Sequence, residues 1–247
     1  CLFIRGFYLF QLGKEFKNAP LRLTASQSPS TFPLEKSSQA EIWSQAEQDL
    51  LTAASLLPVK NDVIGKPTKG AAYAVLGKIY VYEEDFDKAI EIHSKACDNA
   101  NINSCYSIAL MYYYGKGFKQ NDIKAYEFFH RGCSLEDGNS CNQLANMLYY
   151  GKGVKQDYKN ASEYYKKACD NNNLDSCLEL ANMYQKGEGV NQDYSKSTEI
   201  FLKLCDKGFT KAPRCSGSPL GEGSNPLHQA VFSTGYATCR HEPDEFV

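Results

Sequence analysis

The sequence has no apolar stretch near the roughly 18 residues that a membrane-crossing helix requires. Its greasiest run, Cys1 to Phe10, is already interrupted by Arg5. Excess positive charge is also missing. The net charge is −2, whereas nucleic acid and anionic lipid are held by clustered Lys and Arg that displace counterions. No nucleic acid partner and no membrane span are therefore expected. There is no nucleotide-cradling glycine loop, because Gly115-Lys116-Gly117 recurs in register at other turns and so has a structural explanation. The four histidines, His93, His130, His228 and His241, do not fall at metal-ligand spacing, so neither a metal nor another cofactor is implied. Neither Ser-x-x-Lys nor Lys-Thr-Gly occurs, and no Ser/His/Asp or Cys/His set can be assembled, which argues against an enzyme. No export signal is recognisable, and the first residue is cysteine. The chain reads as mature or incomplete, with truncation favoured over a lipidated terminal cysteine.

Cysteine, by contrast, is plentiful. Ten are present, and Cys97, Cys133, Cys169 and Cys205 stand 36 residues apart. The first three are each followed eight residues later by a second, at Cys105, Cys141 and Cys177. Paired spacing of this kind points to disulfides and hence to an oxidising compartment, the periplasm or the exterior. A fixed period in the thirties means one supersecondary unit copied along an axis, with function spread over several copies.

In register, Gly115-Lys116-Gly117 falls on Gly151-Lys152-Gly153 and Gly187-Glu188-Gly189, and Ala109 on Ala145 and Ala181. Each unit is predicted to be a helical hairpin. The first helix turns Ile108-Ala109, Leu144-Ala145 or Leu180-Ala181 inward, and the small alanine lets the second helix approach. The glycine pair ends that helix, and Asn121, Asp157 and Asp193 cap the next. The second helix carries Glu127, Glu163 and Glu199 at equivalent positions, and Phe128-Phe129, Tyr164-Tyr165 and Ile200-Phe201 supply its buried side.

The frame extends backwards to Tyr73, Leu76, Gly77, Tyr80, Ala89, His93 and Ala96, which fall at the tetratricopeptide spacing. The glycine-flanked copies resemble the Sel-like subclass of tetratricopeptide repeats, and with their paired cysteines are similar to the secreted cysteine-rich Hcp proteins of bacteria. The resemblance covers residues 73–209. Within each pair the first cysteine ends one hairpin and the second begins the next, so a short reversal can bring the Cα atoms within the roughly 4.4 to 6.8 Å a disulfide demands. Cys97–Cys105, Cys133–Cys141 and Cys169–Cys177 are the expected bridges, with metal ligation and buried free thiols as the other readings. Cys205 lacks a partner at the same spacing, since residue 213 is Pro213; Cys215 and Cys239 can pair with it, with each other or with neither.

Before the repeats, the pattern predicts a helix at about Arg5 to Glu15, an extended segment from Pro20 to Thr24, a Ser/Pro-rich loop, an amphipathic helix at about Gln39 to Leu56 and a capped turn before Lys69. The ordered string Arg5-Gly6-Phe7-Tyr8-Leu9-Phe10, Ala19-Pro20-Leu21, Glu41-Ile42-Trp43, Asp49-Leu50, Ala53, Leu56-Leu57-Pro58 and Thr68-Lys69-Gly70-Ala71-Ala72 resembles the SusD/RagB family over residues 3–89. That family consists of outer-membrane glycan-binding lipoproteins partnered with a TonB-dependent transporter. The two resemblances overlap between Gly70 and Ala96, where a join is expected, either a fusion or a mis-assembled reading frame. Trp43 could stack on a sugar, but Ile42, Ala46, Leu50, Ala53 and Ala54 keep helical spacing with it, so it is assigned to packing against the first helix.

The expected architecture is all-α: a right-handed superhelical array of about four helical hairpins, a tetratricopeptide or Sel-like solenoid with local disulfides. The expected organisation is a helical segment over 1–68, the repeat array over 69–209 and an irregular tail over 210–247. The tetratricopeptide resemblance implies that the first helix of each hairpin lines the concave face. Register then puts Asn103, Tyr106, Leu110 and Tyr113 there, followed by Asn139, Asn142, Asn146 and Tyr149, then Asp175, Leu178, Asn182 and Gln185. Asparagine carboxamides can both donate to a peptide carbonyl and accept from its N–H, and tyrosines orient by stacking. Asn103, Tyr106, Tyr113, Asn142, Asn146, Tyr149, Asn182 and Gln185 are the candidate peptide contacts, while Tyr112 and Tyr184 are assigned to packing between helices. The expected function is a protein- or peptide-binding scaffold, periplasmic or secreted, with outer-membrane association as a variant. The Hcp resemblance implies a β-lactam-binding or β-lactamase-like protein as the alternative. The SusD/RagB resemblance implies a glycan-binding lipoprotein of nutrient uptake, with a glycan or cell-wall fragment as ligand.

Overall fold

The computed structural model describes residues 1–21, 36–61, 63, 65–117 and 119–209. Arg22 to Thr24, the Ser/Pro-rich loop and the tail with Cys215, Cys239, His228 and His241 lie outside them. The described residues form ten helices and one two-stranded bridge. The chain divides into two compact units, residues 1–140 and 141–247.

In the first unit, α1 (Leu2–Phe16) packs on α2 (Gln39–Leu56). α2 starts at Ser38, whose hydroxyl accepts from the Glu41 N–H while the Glu41 carboxylate accepts from the Ser38 N–H. This reciprocal capping satisfies two otherwise orphaned amides. Between the helices, β1 (Ala19–Pro20) pairs antiparallel with β2 (Lys36–Ser37). Of the four residues of this bridge, only Pro20 falls in the expected extended segment. Gly6 lets the helices close, since a Cβ there would stand 2.8 Å from Leu50 Cγ. Trp43 is buried, its Nε1 donates to the Phe10 carbonyl at 3.2 Å, and its ring lies against Phe10 and Tyr82, so it is a packing residue. Arg5 forks onto the buried Asp49 with two hydrogen bonds of 2.6 and 2.7 Å.

α3 (Lys69–Tyr82), capped by the Thr68 hydroxyl, forms a hairpin with α4 (Phe86–Asp98). α5 (Ile102–Tyr114) and α6 (Asp122–Ser134) form the next. Leu9, Phe10, Ile42, Leu50, Leu76, Ile79, Ile92 and Met111 join the helices of the initial segment and the first repeats in one core. α7 (Gly138–Tyr150) begins at the end of the first unit and continues into the second. There α8 (Tyr158–Asp170), α9 (Leu174–Lys186) and α10 (Tyr194–Asp206) follow. Phe201 and Leu204 pack on Ala181 and Cys177.

Helix ends follow the repeat chemistry. Asn121, Asp157 and Asp193 each accept from the N–H three residues on. Gly115 and Gly187 end their helices in the left-handed conformation. Of the paired aromatic and aliphatic residues on the second helices, only Phe129, Tyr165 and Phe201 are buried, while Phe128, Tyr164 and Ile200 are half-buried. A helix turning 100° per residue cannot send two successive side chains equally inward. Cys97–Cys105 and Cys169–Cys177 are disulfides with Cα atoms 4.7 Å apart. Cys133, Cys141 and Cys205 are also disulfide-bonded, and Cys1 is free.

Candidate functional site

In the second unit the residues expected to face a ligand lie on α7 and α9. Asn142, Asn146 and Tyr149 follow one another at spacings of four and three on α7, and Asn182 and Gln185 at three on α9, so each set shares a helix face. All five are half-buried. Their carboxamides are not symmetric in what they offer. Asn142 Oδ1 accepts from the Ser176 hydroxyl at 2.7 Å, and Asn146 Oδ1 accepts from the Tyr165 hydroxyl at 2.6 Å. With the oxygens engaged by neighbouring helices, the groups left over are the Nδ2 donors, which have no hydrogen-bond partner among the described residues. Hydroxyls of α8 and α9 thus take one acceptor position on each of these two oxygens, while both N–H donors of each Nδ2 are left over. Asn182 has no side-chain hydrogen bond among the described residues.

Tyr149 is tied down as well. Its hydroxyl donates to Glu188 at 2.6 Å, and its ring meets Tyr150, Tyr158 and Tyr165 edge-on. The hydrogen bond to the carboxylate, followed by burial, raises the phenol pKa. Tyr149 therefore contributes a fixed ring wall rather than a mobile hydroxyl. Gln185 offers its side chain at the end of α9 while its carbonyl accepts from Gln192 Nε2 at 2.9 Å.

In the first unit, Asn103 is exposed and Tyr106 and Tyr113 are half-buried on α5, both rings lying against Phe129 of α6. Tyr112 is buried and stacked on Phe128, as an inter-helix residue should be. Tyr184 in the second unit is half-buried under Lys196.

One pairing escaped sequence reasoning. His93, buried in α4, has its Nδ1 3.2 Å from the hydroxyl of Ser104 on α5. Burial first, then the charge of Lys78, pushes the imidazole pKa down to about 4. Such an imidazole is neutral at pH 7 but a weak base for activating a serine. Ser104 also recurs in register as Ser140 and Ser176. In all three copies the serine N–H donates to the side chain three residues back, Ser104 to Asn101, Ser140 to Asp137 and Ser176 to Asn173, so a serine here belongs to the start of a first helix. The signal that could have pointed to the pair is the register itself: His93 stands where the other copies have Phe129, Tyr165 and Phe201.

Helical hairpins joined by Gly-x-Gly turns and linked by local disulfides define an all-α repeat array. The chain belongs to the Sel1 repeat family, whose description it matches at residues 71–101, 102–137, 138–173 and 174–209. Residues 1–81 match the family described as starch-binding associating with outer membrane. Among solved structures, the chain is similar to c5321, a protective antigen of uropathogenic Escherichia coli with an SLR fold (TM-score 0.57, 23% identity, 69% of this chain and 35% of that one). It is also similar to a Sel1 repeat protein from Oxalobacter formigenes (TM-score 0.55, 18% identity, 67% of this chain and 71% of that one). Helicobacter pylori cysteine rich protein B is 32% identical over 52% of this chain and 92% of its own, with a TM-score of 0.42. The chain thus spans about a third of the length of the Escherichia coli antigen. Among the described residues no helix is long and apolar enough to cross a membrane.

Proposed function

We propose that this chain is an interaction scaffold that holds an extended polypeptide along the first helices of its repeats, in the periplasm or outside the cell. The observation that carries the reading is the orientation of Asn142 and Asn146, whose oxygens are engaged internally and whose Nδ2 groups are left to donate. A row of fixed donors suits the carbonyl oxygens of an extended main chain, which present an acceptor at every residue whatever the side chains. Tyr149 adds a rigid aromatic wall at low entropic cost, because its hydroxyl is already held by Glu188. Membership of the Sel1 repeat family supports a protein partner, and the disulfides support an oxidising compartment.

Peptides selected from a random 12-residue library on the intact protein supply the probe. The double variant Asn146→Ala, Asn182→Ala should bind the same labelled peptides at least roughly tenfold more weakly, from the loss of one or two desolvated hydrogen bonds, with an unchanged circular dichroism spectrum. Unchanged affinity moves the site off these helices.

The match of residues 1–81 favours a second reading, a role beside an outer-membrane glycan-uptake complex. In that case the α1–α3 segment is the docking part and the ligand is a glycan or cell-wall fragment. Trp43 plays no part as a sugar platform, since it is buried against α1.

A further inference from the structure

A groove of about 280 Å³ opens in the first unit where four helices converge. α1 contributes Phe3 and Phe7, α3 contributes Ala71, Ala74, Val75 and Lys78, α4 contributes His93, and the start of α5 contributes Asn103, Ser104 and Ser107. One wall is apolar and aromatic, and the other carries hydroxyls and a carboxamide. Lys78 is exposed and has no ion-pair or hydrogen-bond partner among the described residues, so it is the uncompensated charge of the groove. His93 is 3% exposed and uses Nδ1 for Ser104, while its Nε2 has no hydrogen-bond partner among the described residues. The positive end of the α5 macrodipole lies on the same side, beside Asn103 and Ser104.

From this juxtaposition we infer that the groove binds a small amphipathic carboxylic acid, its carboxylate against Lys78 and the Asn103 carboxamide at the start of α5 and its apolar body between Phe3, Phe7 and Val75. Charge complementarity selects the head group, since a cation, the Asn103 carboxamide N–H and a helix N-terminus all favour an anion. The apolar wall selects the body. The volume lies at the small end of ligand pockets, which suits a free acid with a single ring or short chain. The groove needs both α1 and α5, so it belongs to the junction of the initial segment with the repeats and is distinct from the α7–α9 face.

Titration calorimetry on the full chain with 4-phenylbutanoate, 4-phenylbutanamide and acetate tests the inference. The acid should bind, and the amide and acetate should bind at least roughly tenfold more weakly, the scale of a hydrogen bond to a charged group or of a lost apolar body. Lys78→Gln should lower the acid to the level of the amide, and Phe7→Ser should weaken acid and amide alike. Both positions reach the surface, so the fold is retained and can be checked by circular dichroism. Equal binding of acid and amide, parental affinity in Lys78→Gln, or no binding of the acid would each overturn the inference. A peptide ending in phenylalanine that binds more than tenfold tighter than the free acid would overturn the free acid as occupant.

Discussion

His93 shows how much one residue can depart from its repeat. In the other copies an aromatic ring fills this position, but here an imidazole lies against Gly77, whose added Cβ would stand 2.8 Å from the ring atoms. Its folded-state pKa of about 4 lies below the ordinary 6.5. Between these values the unfolded chain binds the proton and the folded one does not, so stability falls as pH drops from 6.5 towards 4 and is constant with respect to this group above 6.5. The span corresponds to on the order of 3 kcal/mol. Lys78 and the Ser104 hydroxyl are the groups that face the imidazole. His93→Phe, which restores the aromatic of the other copies beside a roomier glycine, should flatten this limb. Urea midpoints at pH 7, 6, 5 and 4.5 measure it; parallel curves for parent and variant would refute the assignment. The capping carboxylates Asp85, Asp157 and Asp193, held below the usual range chiefly by hydrogen bonds at their helix starts, titrate lower and do so in both proteins.

At the scale of the helix and turn, the two glycines of Gly187-Glu188-Gly189 have different duties. Gly187 ends α9 with φ +76°, its N–H donating to the Met183 carbonyl at 2.8 Å. Gly189, at φ +69°, lies on the main chain of Tyr158, so a Cβ would collide with that backbone. The first glycine serves the helix end, and the second lets one hairpin's turn sit on the start of the preceding hairpin's second helix. Gly187→Ala should cost about 1–2 kcal/mol from backbone strain, with Gly187→Asn milder because asparagine tolerates this conformation. Gly189→Ala adds a steric collision that no side-chain rotation relieves, and should cost about 3 kcal/mol or more. Denaturant midpoints decide the order; an equal or smaller loss at Gly189 contradicts the stacking role.

For the molecule as a whole, stability in a repeat array is a sum of unit and interface terms, so local crosslinks matter along its length. Cys97–Cys105 and Cys169–Cys177 each close a loop of sequence separation 8. In the chain-entropy account each such closure contributes about 2.5 kcal/mol. Guanidinium unfolding with and without reductant should therefore separate by roughly twice that for these two bonds alone, with the other disulfides adding to it. Coincident midpoints would mean that the bonds are incidental to folding. The same protein, isolated unreduced from its source, should yield the Cys97–Cys105 and Cys169–Cys177 peptides by mass spectrometry, and free thiols there would remove the oxidising compartment.

Much of the fold could be read from the residues because its determinants are local. Asn121, Asp157 and Asp193 cap helices by reaching only three residues ahead, and the period of cysteines, alanines and glycines carries the hairpins. The span of α2 was likewise legible, since an amphipathic stripe from Gln39 to Leu56 needs nothing beyond the segment itself. The candidate face was legible only as a row of residue types. Which side of each asparagine is left for a ligand depends on Tyr165 and Ser176, hydroxyls 19 and 34 residues away. The second glycine's partner, the His93–Ser104 contact and the groove beneath α1 are likewise products of side chains meeting across helices. Periodicity decides which face of a helix turns inward, but the atom that meets it there is decided only when the neighbouring helix has docked.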